Sequence, residues 1–205
     1  MRILQRSPIY SHPDRNQVYS PAEDSFLLLK AAEQEIRSED RVLEVGVGSG
    51  YVASHLPSCR QIIGTDCNPH AVRITQTTGI SVIRTDLTSG LRGPFDLILF
   101  NPPYLPTSAE EQIDDWLEYA LDGGITGREV IERFLSEVPL LLSPEGRILL
   151  LISSLNGFEE TKKLIRSTGW DCKVTNQEVV EGGEVLLVCR LVRSLSDEMK
   201  KNIRF

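Results

Sequence analysis

Short apolar segments alternate with helix-like ones along most of this chain, and that order leaves few folds open. Arg41–Val45 reads as a strand, Gly46-Val47-Gly48-Ser49-Gly50 as a tight turn, and residues 51–56 as a helix that stops before Pro57. Residues 61–65, Ser81–Arg84 and Phe95–Phe100 are further strands, with a helix over 69–77 between the first two. Residues 128–142 have helical periodicity, 147–152 form a buried strand, and 159–167 form another helix. Strands this apolar, separated by helices, predict a parallel sheet covered on both faces. Residues 173–179 and 184–192 flank Glu181-Gly182-Gly183, a hairpin-like turn, so an antiparallel strand ends the sheet. Upstream, Ser20 can cap a helix, Pro21 suits its first position and Glu23 completes a capping box, which predicts a helix reaching about Ile36.

A chain of 205 residues fits one domain. No apolar run approaches the roughly 20 residues needed to span a bilayer, and Ile3-Leu4 are followed by polar residues instead of a signal-peptide core. A soluble, intracellular protein is expected. Cys59, Cys67, Cys172 and Cys189 are scattered without CxxC spacing, so reduced thiols are expected and neither a metal site nor a disulfide framework. The net charge of -7 argues against affinity built on duplex phosphate contacts.

Sheets of this kind bind ligands at the carboxyl ends of their strands, where the strand order reverses. Three acidic residues fall at such ends. Glu44 precedes a GxGxG turn whose glycines let the backbone approach a ligand; a carboxylate there repels pyrophosphate and suits a cationic amino-acid group. Asp66 closes the second strand, where it can accept from both hydroxyls of a ribose or, alternatively, cap the helix at Pro69. Asp86 closes the third, either as a solvated turn residue or as an acceptor for an adenine amino group, with Leu87 packing on the ring. Together they describe a nucleoside that carries a positive centre and no phosphate.

The fourth strand runs into Asn101-Pro102-Pro103-Tyr104. Two prolines with φ held near about -65° make this loop stiff. The Asn101 amide oxygen and the Pro102 carbonyl can accept the two hydrogens of an NH2 group, and Tyr104 can pack on the plane that bears it. An amide or aromatic-amine nitrogen has a delocalised lone pair, so it needs alignment and stabilisation of developing charge more than a strong base.

These pieces resemble the class I methyltransferases of the HemK or PrmC type, which use S-adenosylmethionine to methylate glutamine in the Gly-Gly-Gln loop of peptide-chain release factors. The resemblance rests on Tyr19-Ser20-Pro21-Ala22-Glu23-Asp24-Ser25, Leu43 to Gly50, Thr65-Asp66 with Asn68-Pro69, Asp86-Leu87, Phe100 to Tyr104 and Gly127-Arg128-Glu129. It is closest to the short archaeal and eukaryotic branch. It implies a Rossmann-like, mostly parallel seven-stranded α/β sheet with a C-terminal antiparallel strand. One methyltransferase domain would span 1–205, its segment 1–40, an extension plus helix, packing near the cofactor. Ser25, Glu44, Gly46, Gly48, Asp66, Asp86, Leu87 and Asn101 would contact S-adenosylmethionine, and Asn101, Pro102, Pro103 and Tyr104 would hold the glutamine. S-adenosylhomocysteine would be the product, the cytoplasm the location, and a small zinc-binding activator protein a partner. Val47 departs from the small or polar residues frequent at its position.

Two other acceptors share parts of this pattern. Adenine N6 poses the same nucleophilicity problem, but residues 106–126 are short for a recognition domain and carry Glu110, Glu111, Asp114, Asp115, Glu118 and Asp122, which suits a basic protein surface better than phosphate. Lysine would first have to lose a proton, and no base is evident in the motif. The loop Gly123 to Arg128 reads either as a substrate-side lid or as a plain connection, with Arg128 placed to pair with Glu132.

Overall fold

The computed structural model of this chain describes residues 13–107 and 115–194. A 3-10 turn, Arg15–Gln17, leads to α1 (Glu23–Glu35), β1 (Arg41–Val45), α2 (Tyr51–His55), β2 (Gln61–Asp66), α3 (Pro69–Gln76), β3 (Ser81–Arg84) and β4 (Phe95–Phe100). Then come α4 (Trp116–Tyr119), α5 (Glu129–Glu137), β5 (Leu142–Ser153), α6 (Phe158–Ser167), β6 (Trp170–Val179) and β7 (Val185–Arg193). The strands form one sheet in the order β3-β2-β1-β4-β5-β7-β6. The pairs from β3 through β5 are parallel, while β7 is antiparallel to both of its neighbours.

Side chains alternate across the central strands, and two apolar layers result. Leu43, Val45, Ile98, Phe100, Ile148 and Leu150 face Ile131 and Phe134 of α5 and Ile165 of α6. Val42, Leu97, Leu99, Leu149 and Leu151 face Leu27, Leu28, Ala31 and Ala32 of α1 and Val52 of α2. A strand buried on both faces reads as a continuous apolar run, which is why the period-2 signal is missing from the sequence.

Three expectations change in detail. The antiparallel C-terminal strand is present, but it lies inside the sheet and leaves β6 at the edge. Helical periodicity over 128–142 does not give one helix: Pro139 supplies no N–H, so α5 stops at Glu137 and a 3-10 turn, Val138–Leu140, hands the chain to β5. Helix α1 is not capped by Ser20; its N-cap is Ala22, in an extended conformation without a side-chain hydrogen bond. The stretch before it has other work, because Tyr19 and Pro21 line a cavity.

Strand order reverses between β1 and β4, since β2 and β3 lie on one side of β1 and the other strands lie beyond β4. That places the candidate site at the carboxyl ends of β1 and β4.

Candidate active site

Gly50 begins α2 in the left-handed region at φ 78, and a Cβ there would stand 3.0 Å from the Thr75 side chain. Glycine is required on both counts. Val47 departs from the resemblance without touching the ligand side of this turn. Its side chain packs on Gly64 of β2, and its N–H donates to the Thr65 carbonyl at 2.9 Å.

Asp66 accepts the Gly48 N–H and the Asn68 N–H, each at 2.8 Å. The turn and the end of β2 are thereby tied together. Burial raises the Asp66 pKa, opposed by N–H groups of Asn68, Gly48 and Cys67. The capping role open for Asp66 belongs to Asn68, whose Oδ1 accepts from His70 N at 2.8 Å. Asp86 pairs with Arg133 of α5 at 2.7 Å on a half-exposed surface. Leu87 sits at φ 47, strained for a side-chain-bearing residue, and leans on the core.

Glu44 is 5% exposed and its Oε2 has no hydrogen-bond partner. Burial pushes its pKa up to about 8; the Ala53 N–H works against this, and the charge of Asp66 adds to it. Alone, the group is mostly a neutral acid at pH 7. A cation arriving beside it would favour ionisation.

Asn101 follows β4 directly. Its Nδ2 donates to Asp24 Oδ2 at 3.0 Å, while its Oδ1 is buried without a partner. A carboxylate only accepts, so the amide NH2 has to face Asp24 and the oxygen is turned the other way. Tyr104 is half-buried near Tyr19; burial raises its pKa, and the charges of Asp24, Glu184 and Glu23 raise it further.

Two adjoining cavities meet at Gly46, Asn101, Pro103 and Ala120. The smaller is lined by Ser25, Glu44, Pro102 and Tyr104, together with Tyr19 and Asp24. The other, about 300 Å³, is lined by Asp66, Asp86 and Leu87, together with Trp116 and Tyr119. Gly48 lines neither and acts on the site through Asp66. Tyr19, Asp24, Trp116 and Tyr119 escaped the sequence reading. The first two lie in the segment 19–25 quoted for the resemblance, and the aromatic pair is the signal that could have marked α4.

The glycine-rich loop packs against the proline motif, and its Gly124 lines the larger cavity. A Cβ on Gly123 would stand 2.9 Å from the Pro103 carbonyl oxygen, and one on Gly127 2.5 Å from that of Tyr104. Bare backbone therefore packs on backbone and props up the proline motif. Arg128 donates to the Asn156 carbonyl, so the expected pairing with Glu132 is replaced by a tie to the 3-10 turn, Ser154–Asn156, that follows β5.

The family described as Methyltransferase small domain matches residues 14–117. Human methyltransferase HEMK2 is 37% identical over 211 residues, covering 92% of this chain and 97% of that protein. A Methanocaldococcus jannaschii protein named as a candidate protein N5-glutamine methyltransferase is 40% identical over 185 residues, covering 86% of this chain and 91% of that one. The chain belongs to the HemK-type methyltransferases. Among solved structures, E. cuniculi Mtq2, in a complex with Trm112 responsible for methylation of the eRF1 translation termination factor, superposes with a TM-score of 0.73 at 27% identity. That match covers 87% of this chain and 99% of the other.

The residues of this HemK-type site fit S-adenosylmethionine. A buried carboxyl at Glu44, with its Oε2 left without a partner, answers a cationic amino-acid end, and the Asp66 to Leu87 cavity has room and acceptors for the nucleoside. No described helix is long and apolar enough to cross a membrane.

Proposed function

We propose that this protein transfers a methyl group from S-adenosylmethionine to the side-chain amide nitrogen of a glutamine in a peptide-chain release factor. The observation that carries this reading is the buried, unpartnered Asn101 Oδ1 beside a stiff proline turn, with its amide orientation set by Asp24. An acceptor without a base is what an amide nitrogen needs. The relatives' names point the same way.

S-adenosylmethionine, when bound, supplies an electrophilic methyl group on a sulfonium. Glu44 would hold its charged amino-acid end, Asp66 the ribose, and Asp86 with Leu87 the adenine. Ser25, Gly46 and Gly48 would shape the wall between them. Asn101 Oδ1 and the Pro102 carbonyl would accept the two N–H groups of the glutamine amide, and Pro103 and Tyr104 would pack on its plane. Held in this way, the nitrogen lone pair would form the N–CH3 bond as the C–S bond broke with its electrons going to sulfur, and the nitrogen would then release one proton to water. Preorganised acceptors of this kind are worth on the order of a hundredfold in rate each.

The reading includes a small activator protein as partner, zinc-binding in the resembling branch, and work in the cytoplasm. Both sheet edges offer apolar side chains for such a partner: Ile83 on β3, and Val174 and Val179 on β6.

Competition among acceptors tests the substrate class. With labelled donor and equimolar glutamine-loop peptide, lysine peptide and adenine oligonucleotide, label is expected on the glutamine peptide. Label on the oligonucleotide or on lysine alone would reverse the assignment.

A further inference from the structure

The carboxylate behind Asn101 does more than fill space. Asp24 is 4% exposed and stands in the first turn of α1, where the helix end favours negative charge. Its Oδ1 accepts the Ser25 N–H at 2.6 Å and the Ser25 hydroxyl at 3.1 Å, which fixes the carboxylate plane. Its Oδ2 accepts the Asn101 amide at 3.0 Å across 77 residues of sequence. A flipped Asn101 would set oxygen against oxygen, so only one orientation of the amide survives.

We propose that Asp24 is a positioning residue that acts through Asn101: it locks the amide with its oxygen toward the acceptor nitrogen and polarises that oxygen as positive charge develops there. A negative charge accepting from an amide N–H pushes electron density from the nitrogen toward the carbonyl oxygen at the other end, and hydrogen bonds in series strengthen one another. The arrangement lets a neutral asparagine behave as a partly anionic acceptor without a base in contact with the substrate. The proposal rests on the glutamine-methylation reading for the identity of the acceptor. The Asp24 to Asn101 link itself stands on the geometry.

A double-mutant cycle separates this role from a structural one. Asp24→Asn keeps the shape and removes the charge; it is expected to lower kcat about tenfold, and Asp24→Ala about a hundredfold, in the range of losses for groups that orient a reacting residue. Calorimetric affinity for S-adenosylhomocysteine should stay within about threefold of wild type. In an Asn101→Ala background neither change should lower kcat further, because there is no amide left to orient. Losses that add in the double variants, or wild-type kcat in Asp24→Asn, would overturn the proposal.

A second measurement needs neither turnover nor a folded Asp24 variant. In 15N-labelled wild type, the Asn101 side-chain signals, assigned by their loss in Asn101→Ala, should show one amide proton shifted downfield and protected from exchange. Two amide protons exchanging freely with water would overturn the link. Wild type that is inactive on glutamine while this signal is present would count against the substrate reading alone.

Discussion

Glu44 carries its proton to an unusually high pH, and the consequences can be measured. Its pKa rises from 4.5 to about 8 on burial, so between those values the folded protein holds a proton that the unfolded chain has released. More protons bound in the folded state means that stability falls as pH rises through that window, by at most about 1.4 kcal/mol per unit. Urea unfolding of Glu44→Gln without ligand should show a flatter pH dependence than wild type. A cationic donor should also expel the proton: near pH 7, binding heats in buffers of different ionisation enthalpy should diverge for wild type and agree for Glu44→Gln. Replacing Asp66 with Ala is expected to weaken donor affinity about tenfold or more, as for loss of a charged hydrogen-bond acceptor, and calorimetry would read it. The places of Glu44, Asp66 and Asn101 around the cavities were legible because each sits at a strand end inside a short motif. Asp24 was not, because its meaning depends on a partner 77 residues away that no local pattern reveals.

At the scale of elements, propensity located the strands and misjudged their joints. Arg41–Val45, Ser81–Arg84 and Phe95–Phe100 have the bounds that their apolar runs predicted. The start of α1 and the end of α5 did not follow, since Tyr19 and Pro21 serve a cavity wall and Pro139 interrupts an otherwise continuous periodicity. The position of β7 depends on pairing with both β5 and β6, which neither strand's own sequence encodes. The glycine loop is where element geometry governs chemistry. Gly127→Ala would bring a Cβ against the Tyr104 carbonyl at a backbone of φ 69, so the strained position and the clash act together. A loss of about 1 to 3 kcal/mol in urea unfolding is expected, with a fall in turnover larger than the fall in donor affinity. Equal losses in both would mean that the loop supports the whole site rather than the proline motif.

For the whole molecule, one buried ion cluster ties the helical layer to the sheet. Arg147 of β5 is 1% exposed and donates to Asp40 at 3.0 and 2.7 Å, to the Asp96 carbonyl at 3.0 Å and to the Glu35 carbonyl at the end of α1. Burial alone would raise the Asp40 pKa; the Arg147 guanidinium and the Arg37 N–H outweigh it and hold the carboxyl below its usual value. Asp40→Ala would leave a buried guanidinium short of its counter-charge, and a loss of about 3 to 5 kcal/mol in equilibrium unfolding is expected. A change below about 1 kcal/mol would show that the Glu35 carboxylate, 3.5 Å from Arg147 Nε, carries the compensation. The alternation of strands with helices and the three strand-end carboxylates made the class of fold and ligand readable, whereas the docking of α1 on the sheet, which brings Asp24 to Asn101, is a property of the assembled layers.

The most direct measurement is peptide mass spectrometry on an intact release factor after incubation with this protein and isotopically labelled S-adenosylmethionine. Label on the side-chain nitrogen of a glutamine, lost when Asn101→Ala replaces wild type, is the expected result. Label confined to other residues, or label on glutamine that survives Asn101→Ala, would contradict it.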